Sequence, residues 1–193
     1  MLAVLALVTT ALAQPPAATA RPLSSLPDRE AAAPVAEAPA PPAPAAVAKV
    51  RPMLGARHAE DLPSRELLDA QGDAAEALRW LAAHSESLVE AERAALLLSA
   101  YEDETTGRFC AELVGGEAHA KIRAGAARCL AGRSLEPIAA VPALLKAAAS
   151  SDARVGLAAV EALRGDPKAL PQLQALPKEG LSVEVQARIA ELD

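Results

Sequence analysis

A chain of 193 residues is long enough for one domain of ordinary size. Hydrophobic residues make up 52% of it but aromatic residues only 2%, and much of the apolar share is alanine, so strand-rich folds are disfavoured and an all-helical fold is expected. The formal net charge of -6 argues against a general nucleic-acid binder.

Leu2 to Leu12 form an apolar run of signal-peptide length, and Ala11-Leu12-Ala13 supplies small residues at the -3 and -1 positions of a cleavage site. The run falls short of the roughly 20 apolar residues of a transmembrane helix, and no Lys or Arg precedes it. Residues 1–13 are therefore expected to be a signal peptide, the mature chain periplasmic or secreted, and no stable membrane span is expected after cleavage. Residues 14–52 hold ten of the sixteen prolines, in runs such as Pro39-Ala40-Pro41-Pro42-Ala43-Pro44. Such a stretch cannot build a core, so it is expected to be a disordered Pro/Ala-rich linker of polyproline character.

From residue 53 to residue 193 helix signals recur every dozen or so positions. Ser64 can cap a short helix through Ala70, ended by Gly72, and Asp73 can cap the next, with Ala77, Leu78 and Leu81 on one face. Ser87-Leu88-Val89-Glu90 reads as a capping box in which Glu90 reaches back to the cap. Thr105 or Thr106 can open a further helix, stopped by Gly115-Gly116, and Ile122, Ala126, Cys129 and Leu130 form the inner face of its partner. Two more pairs follow, Pro137 to Ala149 with Asp152 to Arg164, and Pro167 to Leu176 with Ser182 to Leu192. Val89, Ile122 and Val155 lie 33 apart, as do Leu97, Leu130 and Leu163, a period of the kind that marks helical repeat arrays.

Val141-Pro142-Ala143-Leu144-Leu145, then Ser151-Asp152-Ala153-Arg154-Val155 and Ala158-Ala159-Val160-Glu161-Ala162-Leu163, resemble a HEAT repeat of the short, lyase-associated variety. The resemblance is densest over residues 137–176. It implies a right-handed α-solenoid of about four antiparallel helix pairs. The family places Arg after the first apolar residue of the second helix; Ile122-Arg123 keeps that order and Val155-Gly156 does not. Arg93 takes the small-residue position held by Ala126 and Ala159, so the first pair is expected to pack differently. A tetratricopeptide array is the rival, opened by Gly72-Asp73-Ala74-Ala75-Glu76-Ala77-Leu78, but its aromatic pattern does not recur.

Little in the sequence suggests chemistry. His58, His84 and His119 have no His-Glu neighbour of the iron-binding kind, and no phosphate loop, catalytic triad or paired-cysteine ligand motif occurs. No catalytic residue, metal or cofactor is expected. Cys110 and Cys129 in an exported chain invite a disulfide. A turn at Gly115-Gly116 would put Cys129 roughly 10 Å beyond the residue opposite Cys110, so buried free thiols are favoured over a bridge. Residues 53–104 carry 12 acidic and 4 basic side chains (net -8), and Glu102-Asp103-Glu104 is their sharpest cluster. With Arg123 and Arg154 these acids are the candidate partner-facing residues. The expected role is a monomeric, non-enzymatic scaffold or adaptor of the bacterial envelope that binds another protein and no nucleic acid. The alternative is an accessory or lyase-like module acting on a small-molecule or cofactor-bearing partner.

Overall fold

The computed structural model describes residues 43–55, 58 and 61–192. The expected signal peptide and residues 14–42 of the expected linker lie outside the described residues. All regular structure among the described residues is helical.

The folded unit begins before the expected boundary at residue 53. Helix α1 (Val47–Val50) runs into a 3-10 turn (Arg51–Gly55), and Val47, Val50 and Leu54 are buried. The prolines and alanines around them masked three well-spaced apolar side chains, enough to anchor a single turn onto a neighbour. Arg93 fixes the anchor by donating to the Leu54 carbonyl.

Helix α2 (Arg65–Asp69) and helix α3 (Ala74–His84) start where their capping residues place them, with Ser64 and Asp73 accepting backbone N–H groups. Helix α4 (Leu88–Leu97) continues through a 3-10 turn (Leu98–Ala100), followed by α5 (Glu104–Gly115) and α6 (Ala120–Leu130). Helices α7 (Val141–Ala148), α8 (Ala153–Leu163), α9 (Leu170–Gln174) and α10 (Val183–Ala190) complete the array. Four antiparallel pairs result, α3 with α4, α5 with α6, α7 with α8 and α9 with α10. First helices stack on first helices and second on second, giving two layers around one core of Leu, Val and Ala.

Three starts differ from expectation. Asp103, not Thr105 or Thr106, caps α5, because its carboxylate accepts both the Thr106 amide and the Thr106 hydroxyl at 2.8 Å. Helix α7 begins at Val141 rather than Pro137, since Ala139 takes φ 50° and breaks any helix running through it. Helix α9 begins at Leu170, after the Asp166 carboxylate has accepted the Lys168 amide in a turn. The capping box is also indirect. Ser87 accepts the Glu90 amide, but Glu90 binds the Ser85 hydroxyl at 2.7 Å, and that hydroxyl accepts the Ser87 amide at 3.2 Å.

The repeat length is not constant. The second helices are capped by Ser87, His119, Asp152 and Ser182, steps of 32, 33 and 30 residues. One residue of slip turns a helical side chain by about 100°. Val89 is consequently 47% exposed while Val155 is buried, Ile122 is half-buried, and Leu98 rather than Leu97 is buried with Leu130 and Leu163. Ala94, not Arg93, then corresponds to Ala126.

The second layer is drawn tight by glycine. A Cβ on Gly125 of α6 would meet the Glu92 carbonyl oxygen of α4 at 3.1 Å and the Ala95 Cβ at 3.2 Å. One on Gly156 of α8 would meet Val185 of α10 at 2.5 Å.

The cysteines correct the sequence reading. Cys110 and Cys129 form a disulfide with their Cα atoms 6.4 Å apart. The connection between α5 and α6 is not confined to Gly115-Gly116 but runs over residues 116–119. That shift moves Cys110 opposite the middle of α6 and removes about half of the expected offset.

Candidate functional site

The acids singled out in the sequence border a cleft of about 340 Å³ where the α4–α5 junction meets the segment between α6 and α7. Glu102, Asp103 and Glu104 line one side; Gly132, Arg133 and Ile138 line the other. Glu102 is exposed, Asp103 is committed to capping α5, and Glu104 pairs with Arg108 one turn on. The buried Thr106 hydroxyl donates to Asp103 and accepts from the Arg79 guanidinium at 2.9 Å. Burial pushes the Asp103 carboxyl up. The Thr106 hydrogen bonds and the Arg79 charge outweigh it and leave the pKa below its ordinary value.

Arg133, which the sequence reading overlooked, closes the cleft. Its Nε donates to the Cys129 carbonyl at 2.6 Å, and its Nη2 donates to the Leu98 carbonyl at 3.1 Å and to the Tyr101 carbonyl. Nη2 also lies 3.7 Å from the Cys129 sulfur. Burial draws the guanidinium pKa below its ordinary value, partly offset by Asp103 and Glu102. The fork of an arginine satisfies several orphan carbonyls at helix ends at once.

The same use of cations recurs. Arg123 donates to the Val114 carbonyl at 3.0 Å, Lys146 to the Gly115 carbonyl at 3.2 Å, and Arg65 to the Ala100 carbonyl at 3.0 Å. These donors sit 9 to 35 residues from the carbonyls they cap, so no local motif announces them. Arg154 is exposed and bidentate on Asp152, at 2.8 and 3.2 Å, and its hydrogen bonds hold the Asp152 carboxyl below its usual range. The five candidate residues do not converge. Glu102 to Glu104 stand at the edge where α5 begins. Arg123 and Arg154 stand at the opposite edge, where α6 and α8 begin, about 15 Å away along helices of this length.

The histidines are equally dispersed. His119 caps α6, its Nδ1 accepting the Lys121 amide at 3.2 Å; His84 lies in the last turn of α3; His58 is exposed. No group of three or more His, Cys, Asp or Glu side chains among the described residues is arranged to hold a metal ion.

A second groove, of about 540 Å³, lies between α3 and α5 and gathers Trp80, His84 and Phe109 with Arg79 and Arg108. The Trp80 and His84 rings are 5.2 Å apart and tilted by 50°. A third, more apolar groove of about 580 Å³ lies between α9 and α10, with Val183 78% exposed at its edge.

No protein-family model, curated protein or solved structure matches the chain.

Proposed function

We propose that this chain is a protein–protein interaction scaffold or adaptor of the bacterial envelope, a HEAT-like array that presents its helical surface to a partner protein. One observation carries the reading: the charged side chains most suggestive of chemistry, Asp103, Arg123, Arg133 and Asp152, are spent on capping helices and tying pairs together. Their role is to hold a stack of short helices, none stable alone, in a fixed register. Such a stack offers extended grooves between neighbouring helices, and those are what a polypeptide partner would occupy.

Export is part of the proposal. The Leu2–Leu12 run supports it, and so does the disulfide, which persists in oxidising compartments and not in the cytosol. The chain is taken to act as a monomer without a cofactor.

In-cell crosslinking followed by capture of the full chain tests the reading, beside a variant lacking residues 14–42. The expected result is one dominant partner, recovered from the envelope fraction and retained without the proline-rich stretch. Recovery of the chain in the cytosol with reduced cysteines would overturn the envelope assignment. Recovery of no specific partner would overturn the adaptor.

A further inference from the structure

We infer that the groove between α3 and α5 is a receptor for an extended, uncharged, proline-rich strand of a partner protein. The first ground is where the aromatic side chains went. The chain has one Trp and one Phe. Both are packed against the edge of the Leu, Val and Ala core, yet Trp80 and Phe109 stay half-buried and meet in one surface groove with the exposed His84. Rings presented at a surface offer flat apolar faces, and aromatic-lined grooves are the usual seat of polyproline II strands, whose pyrrolidine rings stack there with little ordering cost.

The second ground is that the groove already holds a proline. Pro44 lines it and is half-buried, its carbonyl fixed by the Val47 amide at 3.0 Å. The third is charge. Glu76 and Glu112 balance Arg79 and Arg108 along the rim, so the groove carries no net sign to attract an acidic or a basic peptide. An uncharged Pro/Ala strand matches it.

The inference rests on the reading of the chain as an interaction module, but fails separately from it. A crosslinked partner recovered equally well by the wild type and by Phe109→Leu would leave the adaptor standing and remove the groove.

Trp80 is the only tryptophan, so its emission reports on the groove directly. The probe is a blocked synthetic hexapeptide copying residues 39–44, titrated into the full chain. The expected result is a saturable shift of Trp80 emission, absent with a Gly/Ser peptide of equal length. Phe109→Leu keeps an apolar side chain but removes the ring, and should raise the half-saturating concentration at least fivefold with unchanged helical circular dichroism. If that variant misfolds, the exposed His84→Ala should still raise it about twofold. A linear response, or the same response to the Gly/Ser peptide, overturns the proposal. So does an emission shift that follows protein concentration alone, which would make a second copy the occupant.

Discussion

Gly156 and Val185 bring two helices of the second layer together at a point where no side chain larger than hydrogen fits. A Cβ at 156 would stand 2.5 Å from Val185 Cγ2 and 3.3 Å from the Ala148 carbonyl oxygen. Val185 is fully buried and β-branched, so it has little room to turn away. Gly156→Ala should therefore destabilise the chain by about 1–3 kcal/mol despite the better helix propensity of alanine. Gly165→Ala, in the turn after α8 where a Cβ would have open space, is the uncrowded control. Urea unfolding of both variants tests the crowding; equal midpoints would refute the close contact.

The disulfide spans 19 residues of sequence, a loop length for which cross-linking stabilises by about 3 kcal/mol through the unfolded chain. Reduction, or replacement of both cysteines by alanine, should lower stability by about 2–4 kcal/mol. Thiol titration of the unfolded, unreduced protein should find no free thiol. Two titratable thiols in protein taken from an oxidising compartment would contradict the bridge.

Arg133→Met should cost about 2–3 kcal/mol, because three carbonyls on two segments lose their shared donor together. Arg133→Lys should recover little of it, since one ammonium on a flexible stem cannot span the fork. Hydrogen exchange is the informative measurement, with faster exchange expected at the start of α5. Full rescue by lysine would mean that charge alone matters there.

Asp103 has a depressed folded-state pKa, so its contribution to stability is complete above the unfolded value near pH 4 and is lost as pH falls through the folded one. Asp103→Ala should cost about 1–2 kcal/mol at pH 7 and progressively less below pH 4. Denaturation at pH 7 and pH 3 tests this. A penalty that stays constant with pH would assign the loss to packing instead of the carboxylate.

Ala139 sits at φ 50°, is exposed, and has no packing to lose. Ala139→Gly should raise stability by about 0.5–1 kcal/mol by removing the left-handed penalty. A lower melting temperature for the glycine variant would place the true conformation elsewhere in φ.

Ser64, Asp73, Ser87, Asp152 and Ser182 announced their helices because a cap acts within three residues, and sequence carries that range well. Helix α1 was hidden by its surroundings, since three buried side chains in eight residues show no period beside so many prolines. The 33-residue rhythm was legible, but its single-residue contraction ahead of His119 was not. A slip of one residue leaves the spacing of apolar residues nearly intact and changes only which of two adjacent leucines faces inward. The acidic cluster was visible as a charge run. That Asp103 is a cap, and that Arg133 gathers carbonyls from two preceding segments, follows from chain crossings that no local pattern encodes.

The anchor at Val47, Val50 and Leu54 settles how the array meets mechanical load. Its apolar side chains reach the first pair, and Arg93 of α4 grips the Leu54 carbonyl from the other layer. A pull applied at Ala43 is thus shared between α3 and α4 before it reaches any later pair. Under tension that short anchor, one helical turn and one 3-10 turn, is expected to yield before the longer stacked helices behind it.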